Sequence, residues 1–241
     1  MRLVFLIKAL FFSALISSNM ISCKPKSEIG LKESMKGKFL VGTAMNTSQI
    51  TGRDSVAINL IKKHFNSIVA ENIMKSEMIQ PVEGEFDFAL PDQFVKFGQD
   101  NNMFIVGHTL IWHSQVPKWF FVDENGKDVT PEVLKERMKK HIQTVVSRYK
   151  GRVHGWDVVN EAIEDDGSWR KSKFYQILGE DFIRLAFEFA READPQAEFY
   201  YNDYNMAIQK KRDAVIAMVK NLKAQGVKID GIGMQGHLMM D

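Results

Sequence analysis

Cysteine is nearly absent: a single one, Cys23, in 241 residues. With no second thiol the chain cannot close an internal disulfide, so its stability has to come from burial and hydrogen bonding. Charge of one sign is also missing. Lys and Arg number 32 against 30 Asp and Glu, and without Arg2 and Lys8 of the N-terminal leader the two signs balance at 30 each. A neutral chain with interspersed charges lacks the basic footprint of a nucleic-acid partner. Beyond the first two dozen residues no apolar run is long enough to span a bilayer. The histidines carry no H-E-x-x-H or comparable ligand spacing, so neither a metal nor any other cofactor is expected.

The leader is different in kind. Arg2 and Lys8 flank the apolar run Ala9-Leu10-Phe11-Phe12-Ser13-Ala14-Leu15-Ile16, which is the layout of a secretory signal and too short for a comfortable span. Met20-Ile21-Ser22-Cys23 resembles a bacterial lipobox, in which the cysteine is lipidated and becomes N-terminal after cleavage. The expectation is a lipoprotein-type signal over 1–22 with Cys23 as lipidation site, then a linker over 23–36 and one folded domain from 37 to 241. Such a protein is secreted or held at the cell envelope, in a bacterial outer membrane or periplasm. It meets a membrane only through that anchor, and is expected to be monomeric.

From residue 39 onward, short apolar runs alternate with helix-period segments. Strands are expected at Phe39–Asn46, Ser67–Lys75, Met103–Trp112, Val153–Glu161, Glu198–Asn205 and Gly231–His237, with helices at about 54–65, 90–101, 131–149, 180–193 and 209–225. The third helix shows the logic. Thr130-Pro131-Glu132 supplies an N-cap, a first-turn proline and an acidic group at the positive end of the dipole. Val133, Leu134, Met138, Ile142, Val145, Val146 and Tyr149 then recur at steps of three and four, and Gly151 closes the helix.

Strict alternation of strand and helix means a parallel sheet covered by helices. The strand ends separate the two architectures of that kind. Glu71-Asn72 and Lys75, His108 and Trp112-His113, Asn160-Glu161, Asn202-Asp203-Tyr204-Asn205, and Gln235 with His237 all fall at or near C-terminal strand ends. An open doubly wound sheet would gather such groups at one switch point, whereas a (β/α)8 barrel gathers them from every strand. The expected fold is therefore α/β, a (β/α)8 TIM barrel, incomplete here with about six βα units.

Among these rim groups, Glu161 stands with Trp112, Trp156, His108, His237, Gln235 and Asn160. A carboxyl in such a setting is suited to passing a proton to a leaving group. Amides and imidazoles can hydrogen-bond sugar hydroxyls, and flat aromatic faces can carry pyranose rings. Gly231-Ile232-Gly233-Met234-Gln235-Gly236 also spells a dinucleotide fingerprint, but it lies inside an expected strand where no helix opens. Close strand-to-helix packing is expected to explain its glycines. His64, His141 and His154 read as helix-surface or strand-start residues without a special role, Trp156 as a core residue, and Glu164-Asp165-Asp166 as a solvated acidic loop. The bland alternative for Glu161 is a buried ion pair with Lys75 or an arginine.

HTLIWHSQVPKWF (108–120), WDVVNEAIEDDGSWRKS (156–172), YYNDYN (200–205) and GIGMQGHL (231–238), with GTAMN (42–46) and ENIMKSE (71–77) in the same order, resemble glycoside hydrolase family 10, the retaining endo-1,4-β-xylanases. The resemblance covers residues 37–241 and implies xylan and xylo-oligosaccharides as partners. It implies Glu161 as general acid/base and Asn160 on the 2-hydroxyl of the sugar at the cleavage point. His108, Trp112, Gln235 and His237 would line that subsite. Glu71, Asn72, Lys75 and Gln115 would bind sugars on the non-reducing side, and Tyr204 and Asn205 would face the leaving group. One departure stands out. The family's nucleophile is a glutamate at the end of a seventh strand, in a segment like Thr-Glu-Leu-Asp, and the sequence stops at Asp241 just after the sixth. The expectation is the N-terminal part of a longer enzyme, inactive alone. A non-catalytic xylan-binding remnant and a hydrolase of another β-1,4-glycan are the alternatives.

Overall fold

In the computed structural model, which describes residues 29–237, six parallel strands pair in chain order: β1 (Gly42–Met45), β2 (Ser67–Ala70), β3 (Phe104–Trp112), β4 (Gly155–Asn160), β5 (Glu198–Tyr204) and β6 (Gly231–Gln235). They form an open half-barrel of the (β/α)8 type, as the alternation of elements predicts. The leader and Cys23 lie outside the described residues. Among the described residues no helix is long and apolar enough to cross a membrane.

The helices are α1 (Leu31–Ser34), α2 (Thr47–Ile50), α3 (Ser55–His64), α4 (Ser76–Ile79), α5 (Ala89–Asp100), α6 (Pro131–Arg148), α7 (Lys173–Leu178), α8 (Asp181–Ala193) and α9 (Gln209–Ala224). All five expected helices are present. The short ones, α1, α2, α4 and α7, were not legible as periodic segments, and α1 falls within the stretch expected as linker. In α6, Thr130 Oγ1 accepts from Val133 N–H, and Leu134, Met138, Ile142, Val145 and Val146 are fully buried at helical spacing. In α8, Phe182, Ile183, Leu185, Ala186, Phe187, Phe189 and Ala190 form a broad buried face against α6, β4 and β5. Asp194 then leaves the helix and takes the Gly151 and Gln196 N–H groups, tying two loops together.

The strands are shorter than their apolar runs. β1 begins only at Gly42, and Phe39 and Leu40 before it are 60% and 51% exposed. β2 ends at Ala70, and Glu71–Lys75 turns away to N-cap α4. β4 is buried along its whole length, because helices cover its outer face and the other strands its inner one. Trp156 points outward from it into the core, 1% exposed, as its position at the strand start predicts. Its ring lies over Gly107 of β3, where a Cβ would come within 2.1 Å of Trp156 Cε3, so only glycine fits there.

Three expectations need correction. His141 is not on a helix surface: it is 1% exposed, with Nδ1 2.8 Å from Gln80 Oε1 and Nε2 3.3 Å from Ser76 Oγ. Burial holds its pKa down at about 4. His154 and His64 also have structural work, each ring accepting a backbone N–H, from Ile105 and Leu31 respectively. The glycines of β6 answer to the neighbouring strand, not to a helix: a Cβ on Gly231 would meet Tyr200, and one on Gly233 would sit 2.3 Å from Asn202 Oδ1.

Candidate active site

At the C-terminal ends of the strands lies a cleft of about 570 Å³ lined by Glu71, Lys75, His108, Trp112, Asn160, Glu161, Gln235 and His237, together with Asp157 and Asn202. Residues from five strand ends converge there because parallel strands all present their C-terminal ends to one face.

Glu161 follows the last residue of β4. Its backbone is left-handed, with φ of 60°, which swings the side chain from the strand direction toward the cleft. The carboxylate is held by two neutral donors. Trp112 Nε1 donates to Oε2 at 2.8 Å and Gln235 Nε2 to Oε1 at 3.0 Å. Lys75 is turned elsewhere: its Nζ donates to Asn72 Oδ1 at 2.7 Å and lies 4.8 Å from the Trp112 ring centroid. Among the described residues no arginine pairs with the carboxylate either, so the ion-pair alternative does not describe this site. Burial lowers the Lys75 pKa, opposed by the Glu71 and Glu161 carboxylates.

Asn160 beside it is 3% exposed, and its Oδ1 accepts from both Asn202 Nδ2 at 2.9 Å and Gln235 Nε2 at 3.0 Å. An amide oxygen has two lone pairs, so this one is saturated and Asn160 has only its NH₂ to offer a ligand. Gln235 in turn is steadied by His237, whose Nε2 is 2.9 Å from Gln235 Oε1. On the opposite wall His108 Nδ1 meets Asp157 Oδ2 at 2.8 Å. In the neutral imidazole, donation to that carboxylate places the proton on Nδ1 and leaves Nε2 as an acceptor.

Four of the residues implied by resemblance lie outside the cleft lining. Asn72 is exposed and touches the site through Lys75. Gln115 is exposed, with φ of 46°, and its carbonyl accepts from Glu77 N–H. The Tyr204 hydroxyl accepts from Arg170 Nη2 at 2.7 Å, and Asn205, with φ of 53°, donates to Asp165 Oδ2 at 3.0 Å. Asp165 is thereby pinned, and Glu164 pairs with Arg170 at 3.1 Å, so the acidic loop is not simply solvated. His113 Nδ1 is buried without a hydrogen-bond partner. Burial first, and then Arg170, lower its pKa. Sequence reasoning passed over Asp157 and Arg170, and placed Asn202 at a strand end without giving it a role. A carboxylate in the middle of an otherwise apolar strand was the available signal for the first. Among the described residues no cluster of His, Cys, Asp and Glu could hold a metal.

The chain that builds this cleft is similar to several known proteins. An endo-1,4-beta-xylanase A of Xylanibacter ruminicola is 52% identical over 217 residues, covering 90% of this chain and 59% of that protein. The endo-1,4-beta-xylanase A of Thermotoga maritima is 48% identical over 227 residues, 91% of this chain and 21% of the relative. Among solved structures, a family 10 endoxylanase from a sugarcane soil metagenome superposes with a TM-score of 0.84 at 49% identity, covering 86% of this chain and 60% of the other. A xylanase of Paenibacillus barcinonensis in complex with a conduramine derivative gives 0.83 at 42% identity, with 88% and 63% coverage. The chain thus spans less than two thirds of the length of each of these relatives. The profile of Glycosyl hydrolase family 10 matches residues 30–241, and the chain belongs to that family.

Proposed function

We propose that the chain carries the acid/base half of a retaining endo-1,4-β-xylanase. The observation behind this reading is the Glu161 carboxylate, fixed by Trp112 and Gln235 and set beside an Asn160 amide that can only donate. Glu161, protonated, gives its proton to the glycosidic oxygen as the bond from that oxygen to the anomeric carbon breaks. A second carboxylate about 5–5.5 Å away takes the anomeric carbon as a glycosyl ester. Glu161, now ionised, draws a proton from water, whose oxygen displaces the ester with net retention. By the family resemblance the attacking carboxylate belongs to a seventh strand, so hydrolysis is proposed for the whole enzyme and oligosaccharide binding for this span.

In that enzyme Glu161→Gln should cut turnover of unactivated xylo-oligosaccharide by about 10²–10⁴-fold, the usual worth of a general acid/base. Binding of xylotriose, read by calorimetry, should persist. Unchanged turnover would remove Glu161 from the mechanism. Binding without hydrolysis by the unaltered whole protein would favour a xylan-binding protein instead.

Anchoring at the cell envelope through Cys23 is part of the same proposal, supported by the Met20-Ile21-Ser22-Cys23 run alone. Cys23→Ser should then move the protein from the membrane fraction to the soluble one. We take the protein to act as a monomer.

A further inference from the structure

The peptide that carries Glu161 is gripped on every polar atom. Glu161 N–H donates to Asn202 O at 2.9 Å, and Glu161 O accepts from Arg170 Nε at 2.8 Å. The next residue, Ala162, donates its N–H to the Tyr201 hydroxyl at 3.0 Å and accepts from Arg170 N–H at 2.9 Å. A left-handed residue with a side chain persists only where its surroundings over-determine it. Here the determinants can be traced back to one buried cation.

Behind the Tyr201 hydroxyl, the chain of polar groups runs into the core. Tyr201 donates to Asp203 Oδ2 at 2.5 Å, and Asp203 Oδ1 pairs with Lys211 Nζ at 2.9 Å, both charged side chains being 0% exposed. Burial and the Asp203 carboxylate hold the Tyr201 phenol well above its ordinary range. It therefore keeps its proton for Asp203 and its lone pair for Ala162. Lys211 also reaches Asp165 at 3.2 Å and lies 3.6 Å from the Tyr204 ring centroid. That same tyrosine accepts from the arginine that holds Glu161 O.

We infer that Lys211 is a positioning residue for Glu161: a buried ammonium on α9 that sets the turn presenting the carboxylate, through Asp203 and Tyr201 on one side and Tyr204 and Arg170 on the other. Its mechanistic meaning rests on the reading of Glu161 as proton donor, but the positioning itself does not. A purely structural role accounts less well for the arrangement. Apolar side chains of similar volume fill a core as well as a buried ion pair does, often with gain. Such residues could not reach the Glu161–Ala162 peptide with hydrogen bonds.

The Trp112 indole N–H reports where the carboxylate sits, because it donates to Glu161 Oε2. Trp119, which donates to Gln80 O, and Trp156 in the core serve as internal controls. In ¹⁵N-labelled protein, Tyr201→Phe and Lys211→Met should each move the Trp112 indole resonance upfield, toward a non-bonded indole, with Trp119 and Trp156 unmoved. Tyr201→Phe loses a single oxygen and decides the matter if Lys211→Met fails to fold. A Trp112 resonance that stays in place in folded Tyr201→Phe overturns the inference. Neither outcome depends on turnover, so a protein unable to hydrolyse xylan leaves this result standing and is detected separately.

Discussion

Trp112 and Glu161 are joined across the mouth of the cleft, the indole Nε1 of β3 donating at 2.8 Å to the carboxylate that follows β4. One ring therefore does two things: its N–H orients the carboxylate, and its face lies under the Lys75 ammonium. Trp112→Phe separates these, because it keeps an aromatic face and removes the donor. A hydrogen bond to a charged group contributes about 1.5–3 kcal/mol. Lost in the transition state, that is roughly a 10- to 100-fold fall in kcat/KM for the whole enzyme. Thermal unfolding should be little changed, since Trp112 is at the rim. If kcat/KM held steady, the indole would be a bystander.

His141 gives the fold a built-in acid sensitivity. Its pKa is about 4 in the folded protein against 6.5 for an ordinary histidine, because burial disfavours the imidazolium. A base whose pKa is lowered by folding supports the folded state fully above its unfolded pKa and loses that support on acidification. Stability should therefore decline between pH 6.5 and about 4, by up to about 3 kcal/mol from this residue. Urea midpoints across that range, for the native protein and for His141→Gln, isolate the effect: the native protein should lose more. Parallel curves would contradict it.

A steric test is available at Gly107. A methyl group there would meet the Trp156 ring at 2.1 Å, far inside van der Waals contact. The ring cannot retreat, because it is 1% exposed and lies 6.4 Å from Tyr149, centroid to centroid. Overpacking of this kind costs about 1–3 kcal/mol. Gly107→Ala should lower the denaturation midpoint accordingly, and a midpoint equal to the native one would mean that Trp156 has room the structure does not show.

These residues also mark how far the sequence could be read. Asn160-Glu161 at the end of an apolar run was legible, since a strand that only fills a core has no use for an amide and a carboxylate there. The caps and stripe of α6 were equally plain. His141 sits on that same stripe, three residues after Met138 and four before Val145, so its spacing pointed inward while its polarity suggested the surface. Asp165 and Lys211 are far apart in the chain, and no local pattern records that one side chain meets the other. The glycines of β6 announced a close approach without saying to what. Periodicity reports which face of an element is covered; a pairing between side chains on different units is set only when those units dock.

The order of the sheet has a consequence for how the protein is made. In the described sheet each of the four inner strands, β2 to β5, hydrogen-bonds to the strand that precedes it and the one that follows it in the chain. Among the described strands, the widest interval between paired ones is the stretch between β3 and β4 that contains α6. Loop-closure entropy grows only slowly with length, so each such joining step is affordable. A ribosome can therefore hand over the sheet one unit at a time, each new strand docking on an edge already formed. The loop carrying Glu161 takes its final geometry only when α9 arrives with Lys211, and its carboxylate gains its second donor only when β6 follows with Gln235.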